Sequence, residues 1–158
     1  MQWHFYCGYA TAGLVLFRYF WGLVGPQPVR LAALFPSLTS LLRYACTLFT
    51  RTPSGVPGHN PFGALSVIAI LLALTAQVST GLFAEDDGLF FEGPLASLIS
   101  AKIVLKMTSL HHLFAKVVLT LVVLHLSAIS FYFVYKRENL ISPMLRGWKL
   151  VRNKSEIE

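Results

Sequence analysis

The chain has 158 residues, of which 55% are hydrophobic and only 13% are charged, and it carries a net charge of +6. A soluble domain of this size exposes too much surface to hide so many apolar side chains, and a disordered chain needs low hydrophobicity and high charge. The composition therefore predicts a membrane protein made of one domain, residues 1–158. The basic residues flank apolar segments, so we expect them to face lipid headgroups and expect no nucleic-acid partner.

Three apolar segments are long enough to cross a bilayer, which takes about 20 residues. The loop between the first two contains a further segment with apolar residues at roughly helical spacing, which is broken by Pro36 and predicts a short interfacial helix. We therefore expect an all-α integral membrane protein with three transmembrane helices and a short interfacial helix. The predicted spans cover about residues 5–24, 62–84 and 110–135.

Charge is distributed unevenly among the segments that connect these spans. Nine basic residues lie in loop 25–61 and tail 136–158, whereas loop 85–109 carries four acidic and two basic residues. Because positively charged loops stay in the cytoplasm, loop 25–61 and the tail are predicted to be cytoplasmic, and loop 85–109 and the N-terminus external. The charges of the tail are expected to be solvated. An external N-terminus so close to the first span needs a preceding helix, so we expect a further span upstream of Met1.

Histidines inside a bilayer are candidates for function, because ionisable side chains are costly there. His111 and His125 are fourteen residues apart, which places them on one helix face about 21 Å apart along the axis. Neutral imidazole is a good ligand for haem iron, so two histidines at two depths on one helix face suit two cofactors, one above the other. His4 starts the first span at the same depth as His111, and Gly8 follows one turn later, which leaves room for a flat macrocycle.

Other residues extend this pattern or leave it open. Arg18 lies fourteen residues after His4, so it shares the His4 face at the depth of His125 and suits a haem propionate. His125 finds no second histidine in this chain. His112 is out of phase and is interpreted as an interfacial polar residue. The alternative is that these histidines are hydrogen-bonded packing residues and that Arg18 extends to the inner interface.

Five groups of segments follow one another through nearly the whole chain: HFYCGYATAGLVLFRYFWGLVG, GHNPFG, TGLFAEDD with EGPLAS, LHHLFAKVVLTLVVLH and KRENLISPML. In this order they resemble the bacterial cytochrome b561 and nickel-hydrogenase cytochrome b family. The resemblance implies a four-helix haem-binding bundle with two non-covalent b-type haems. It also implies that His4 and His111 are the axial ligands of the outer haem iron and that His125 is an axial ligand of the inner one.

The resemblance starts at the family's second span. The family's first span, whose histidine would pair with His125, has no counterpart in this sequence, so we expect either a start codon placed too late or a natural truncation. One outer haem b is therefore expected. A second, inner haem is expected only where the missing span or a partner supplies the other ligand.

By this resemblance, the chain is expected to be a multi-pass b-type cytochrome of the bacterial cytoplasmic (inner) membrane, an electron-transfer subunit rather than a stand-alone catalyst. Electrons would pass between the membrane quinone/quinol pool and an external redox partner, cytochrome c or a hydrogenase, and a homodimer is compatible with this function. The alternative is a haemless or partly haem-loaded structural anchor subunit of a redox complex. Three spans without inverted symmetry argue against a transporter.

Overall fold

The structure, a computed structural model, describes residues 2–48, 50, 60–86 and 91–137. Every regular element within these ranges is helical, which confirms the predicted all-α class. Three of the helices are long and apolar enough to cross a membrane, as expected for a multi-pass membrane protein. The α-helices in these ranges are α1 (Gln2–Val24), α2 (Leu38–Thr47), α3 (Pro61–Gly81) and α4 (Ala101–Val134), and short 3-10 turns cover Gln27–Val29, Leu31–Leu34 and Ala96–Leu98.

α3 is the central helix and begins close to the predicted start of the second span. The Asn60 side chain accepts a hydrogen bond from the Gly63 amide at 2.7 Å, which caps the helix. Pro61 follows in the first turn, where a backbone N–H would have no partner within the helix, so proline costs no hydrogen bond there. α3 carries no charged residue and packs against both α1 and α4. The hydroxyl groups of Tyr19 and Thr75, 3.0 Å apart, join α1 to α3.

α4 is longer than the predicted third span, because it begins at Ala101 rather than near residue 110. Its 34 residues correspond to about 51 Å, which exceeds the ~30 Å hydrocarbon core of a bilayer. Lys102 and Lys106 interrupt the apolar pattern, but lysine is a good helix former, so the helix runs through both. The hydropathy pattern therefore predicts the part of α4 that can lie in the hydrocarbon core, whereas the helix itself begins earlier in the sequence.

The connection between α3 and α4 folds over the end of the bundle at which α1 and α4 begin, here called the outer end. The buried Thr108 hydroxyl accepts a hydrogen bond from the Glu85 amide at 3.0 Å, which ties the connection to α4. A Cβ atom at Gly93 would lie 2.5 Å from a main-chain carbonyl oxygen at the end of α3, so a side chain would clash there. The described part of this connection, residues 82–86 and 91–100, is called the roof.

α2 packs against the opposite, inner end through a buried Lys136, which corrects the expectation that this residue is solvated. Only 3% of Lys136 is exposed. Its Nζ atom lies 5.4 Å from the ring centres of both Tyr44 and Tyr132 and donates to the Thr47 carbonyl at 3.2 Å. The negative faces of the two rings attract the ammonium group, and together with its hydrogen bond to the Thr47 carbonyl this attraction outweighs its loss of hydration.

We expect Lys136→Met to weaken the packing of α2 against the bundle. Methionine has similar length but loses the attraction to the rings and the hydrogen bond to the Thr47 carbonyl, so the free energy of unfolding should fall by about 1–2 kcal/mol. Thermal unfolding of the protein in detergent measures this loss. Lys102→Met changes an exposed lysine of α4 in the same way and should leave the midpoint unchanged. Equal midpoints for the two variants would contradict the prediction.

Several sequence predictions stay open. The interfacial location of α2 and the sidedness of the loops stay predictions. Residues 51–59, residues 87–90 and the tail from 138 onward, which carry parts of the predicted cytoplasmic and external segments, lie outside the described residues.

Candidate functional site

A cavity of about 460 Å³ lies at the outer end, between α1, α3 and α4 and beneath the roof. Its volume is within the range of small-molecule and cofactor sites, about 300–1,000 Å³. Most of the lining is apolar, and the polar side chains converge from all three helices. Its lining includes His4 and Gly8 from α1, Gln77 and Gly81 from α3, and His111, His112 and Ala115 from α4.

His4 and His111 lie on different helices, and their rings meet edge to face in the lining of this cavity. Their ring centres are 5.9 Å apart and their planes are nearly perpendicular, at 82°. Metal–imidazole bonds are about 2 Å long, so two imidazoles that bind one metal ion from opposite sides have ring centres about 6 Å apart. The observed spacing therefore fits a pair of axial ligands. A Cβ atom at Gly8 would meet nothing within 4 Å, so the wall beside His4 is open.

The His111 ring is held by α3 in one tautomer. Its Nδ1 atom lies 3.0 Å from the main-chain carbonyl oxygen of Gln77, with the Thr80 hydroxyl further away at 3.5 Å. A carbonyl oxygen can only accept, so Nδ1 carries the proton and Nε2 of the neutral ring carries the lone pair. Histidines that bind metals commonly donate their other ring N–H to a carbonyl in this way. Nε2 is therefore the ring nitrogen of His111 whose lone pair could serve a metal ion.

His125 is held in the same tautomer at the inner level. Its Nδ1 atom lies 3.2 Å from the Ser66 hydroxyl, and that hydroxyl donates to the Gly63 carbonyl at 2.8 Å. Because the hydroxyl proton is used, Ser66 accepts from Nδ1–H and leaves Nε2 with the lone pair. Ser66 and Thr80 are fourteen residues apart on α3, as His125 and His111 are on α4. The two antiparallel helices thus pair a hydroxyl with a histidine at two levels.

Arg18, the predicted propionate partner, does not line the outer cavity. It is half-buried, and its Nη1 atom donates to the Val29 carbonyl at 3.0 Å. This contact fixes the connection after α1 against the helix. The role of Arg18 toward an inner haem stays a prediction, as does that of His125.

His112 lies closer to the site than its helical phase suggests. It is exposed but lines the cavity, and its ring centre is 6.5 Å from that of His111. Sequence analysis missed Gln77, Thr80 and Ser66. All three are polar residues in an otherwise apolar, uncharged span, and the fourteen-residue spacing of Ser66 and Thr80 equals that of His111 and His125. No group of three or more His, Cys, Asp or Glu side chains among the described residues is arranged to hold a metal ion.

Comparison with known proteins gives a consistent result. The family described as prokaryotic cytochrome b561 matches residues 1–147. A probable Ni/Fe-hydrogenase B-type cytochrome subunit of Azotobacter vinelandii is 27% identical over 164 residues, which cover 95% of this chain and 68% of that protein. A protein of the same description from Azotobacter chroococcum mcd 1 is 26% identical over 167 residues, with the same two coverages. No solved structure matches the chain.

Proposed function

The chain belongs to the prokaryotic cytochrome b561 family, and on this premise we propose that His4 and His111 are the two axial ligands of one haem b in the outer cavity. The family and the B-type cytochrome relatives make the chain a haem-binding membrane protein of electron transfer. The observation that carries the proposal is the 5.9 Å spacing of the two rings across the cavity.

The residues of the cavity suit an electron carrier rather than an oxygen-activating enzyme. Haem iron supplies a one-electron redox centre, whose potential the protein tunes through ligands, hydrogen bonds and burial. With His4 and His111 both bound to the iron, no coordination position would remain for oxygen. The Gln77 carbonyl orients the ring of His111, and most of the cavity lining is apolar. Each of these features favours passage of an electron without further chemistry.

A second haem is proposed at the inner level only with help from another segment or subunit. His125 offers an unprotonated Nε2 there, and Arg18 is the cation proposed to pair with a propionate. The second ligand of that haem would come from a further span or from a neighbouring subunit. The outer site needs no such addition, because α1 and α4 supply both of its ligands.

The electron partners proposed for this protein are quinol in the bilayer and an external hydrogenase or cytochrome c, in a bacterial inner membrane. The relatives named as Ni/Fe-hydrogenase subunits favour the hydrogenase. Glu85 and Asp86 of the roof lie beside the outer cavity. Negative charge at this position suits a partner with a basic docking surface.

The reduced-minus-oxidised absorption spectrum of membranes that contain the full chain tests the proposal. Sharp low-spin b-type bands are expected, and membranes without the chain provide the baseline. Addition of a reduced quinol should produce the same bands without any hydrogenase, whereas hydrogen should do so only when a hydrogenase is present. A chain that inserts into the membrane but gives no bands would instead support the structural anchor.

A further inference from the structure

We propose that Gln77 is a positioning residue for the outer haem: its main-chain carbonyl orients His111, and its side-chain amide holds the iron-binding nitrogen of that ring until haem displaces it. The inference rests on the proposed function of the outer cavity. Gln77 is not itself a proposed ligand, but it contacts both ring nitrogens of His111, which is one.

The first contact fixes the proton of His111. The Gln77 carbonyl oxygen is 3.0 Å from Nδ1 and can only accept, so Nδ1 donates. Gly81, one turn further along α3, makes this contact possible. A Cβ atom there would come within 3.0 Å of Nδ1 and 2.7 Å of Cε1, so glycine lets the ring lie directly against α3.

The second contact involves the nitrogen that binds iron. The Gln77 amide nitrogen lies 3.2 Å from Nε2 of His111. Since Nε2 carries the lone pair, the amide donates to it, and both hydrogen bonds agree with a single tautomer. An iron atom needs the same lone pair. Donation from Gln77 and ligation of haem are therefore mutually exclusive, and the amide has to turn away as haem binds.

The remaining atom of the amide explains why this displacement is easy. Oε1 of Gln77 is buried and has no hydrogen-bond partner among the described residues. An unpaired buried oxygen is destabilising, so the amide gains one hydrogen bond at His111 and lacks the other. The Gln77 amide is therefore a weak competitor for Nε2. Its hydrogen bond holds the His111 ring in place in the haem-free protein, and a metal ion can replace that bond.

Two substitutions at this position should have opposite effects. Gln77→Ala removes the competing donor and keeps the main-chain carbonyl, so haemin should bind the haem-free protein about fivefold faster or more tightly. Gln77→Glu places a carboxyl group of nearly the same shape beside Nε2. A carboxylate accepts a hydrogen bond and so favours a proton on Nε2, which removes the lone pair that iron needs, and haemin should bind at least tenfold more weakly. A merely structural role would give changes of the same sign.

The experiment is a haemin titration and stopped-flow binding measurement on the full chain in detergent, with circular dichroism to check helix content. Nitrogen NMR of the His111 ring in the haem-free protein is the second readout. Nε2 should be unprotonated in the wild type and in Gln77→Ala, and should move toward the protonated signal in Gln77→Glu. Gln27→Glu, at an exposed position in a 3-10 turn outside the cavity, is the matched control and should change neither readout.

The outcomes separate the two proposals. A wild-type chain that binds no haemin overturns the proposed function, and the inference about Gln77 with it. A wild-type chain that binds haemin, with variants that shift in the same direction or not at all, overturns only the role of Gln77. Protonated Nε2 in the wild type would also overturn it, whatever the binding rates.

Discussion

Replacing either His4 or His111 by alanine is expected to abolish the outer haem signal, while His112→Ala leaves it in place. Each of the first two changes removes an axial ligand, and even loss of a residue that only orients a metal ligand commonly costs about 10- to 100-fold in affinity. Loss of the ligand itself should therefore reduce haem affinity by at least about 100-fold.

His112→Ala is the matched control for this pair, because His112 also lines the cavity but has no described ring contact across it toward α1. The measurement is the reduced-minus-oxidised spectrum, normalised to the amount of chain in the membrane. If His112→Ala alone bleached the spectrum, the ligand assignment would be wrong. If His4→Ala retained full bands, the facing ligand would have to come from elsewhere.

Gly81→Ala is expected to lower haem affinity by about tenfold or more while leaving the helix intact. The added Cβ would stand 2.7 Å from Cε1 of His111, so the ring has to tilt away from α3. That movement lengthens its hydrogen bond to the Gln77 carbonyl and misdirects Nε2. Haemin titration of the purified chain measures the loss.

Gly13→Ala separates this local effect from the general effect of alanine in a helix. Gly13 lies inside α1, and a Cβ atom there would meet nothing within 4 Å. Alanine is favoured over glycine in a helix interior by about 1 kcal/mol, so Gly13→Ala should keep or raise thermal stability. Only Gly81→Ala should lose haem. Equal haem affinity of the two variants would show that the close approach of α3 to His111 is unimportant.

The pairing of His4 with His111 could be predicted from the sequence because it depends on only two regular quantities. Helical periodicity places His111 on one face of its helix, and the order of the spans sets the depth at which each histidine lies. Neither quantity requires knowledge of side-chain contacts. The all-α class followed in the same way from composition and from the length of the apolar segments.

The partners on α3 could not be predicted, because they depend on register between two helices. Ser66, Gln77 and Thr80 stand in an apolar, uncharged span, and nothing in their own segment distinguishes a residue that faces His111 from one that faces lipid. The burial of Lys136 could not be predicted for a related reason. A basic residue after an apolar run predicts the end of a span, and only the packing of α2 shows that two tyrosines cover this lysine.

The unbroken course of α4 fixes how far apart His111 and His125 stand in the electric field of an energised membrane. About 21 Å of helix rise separates them, roughly two thirds of the ~30 Å hydrocarbon layer. An electron that moves between these levels therefore exchanges about 1.6 kcal/mol with the field for every 100 mV of transmembrane voltage. In the predicted orientation, which places His111 on the outer side, a voltage that is positive outside would draw electrons toward the level of His111 and make reduction easier there than at the level of His125.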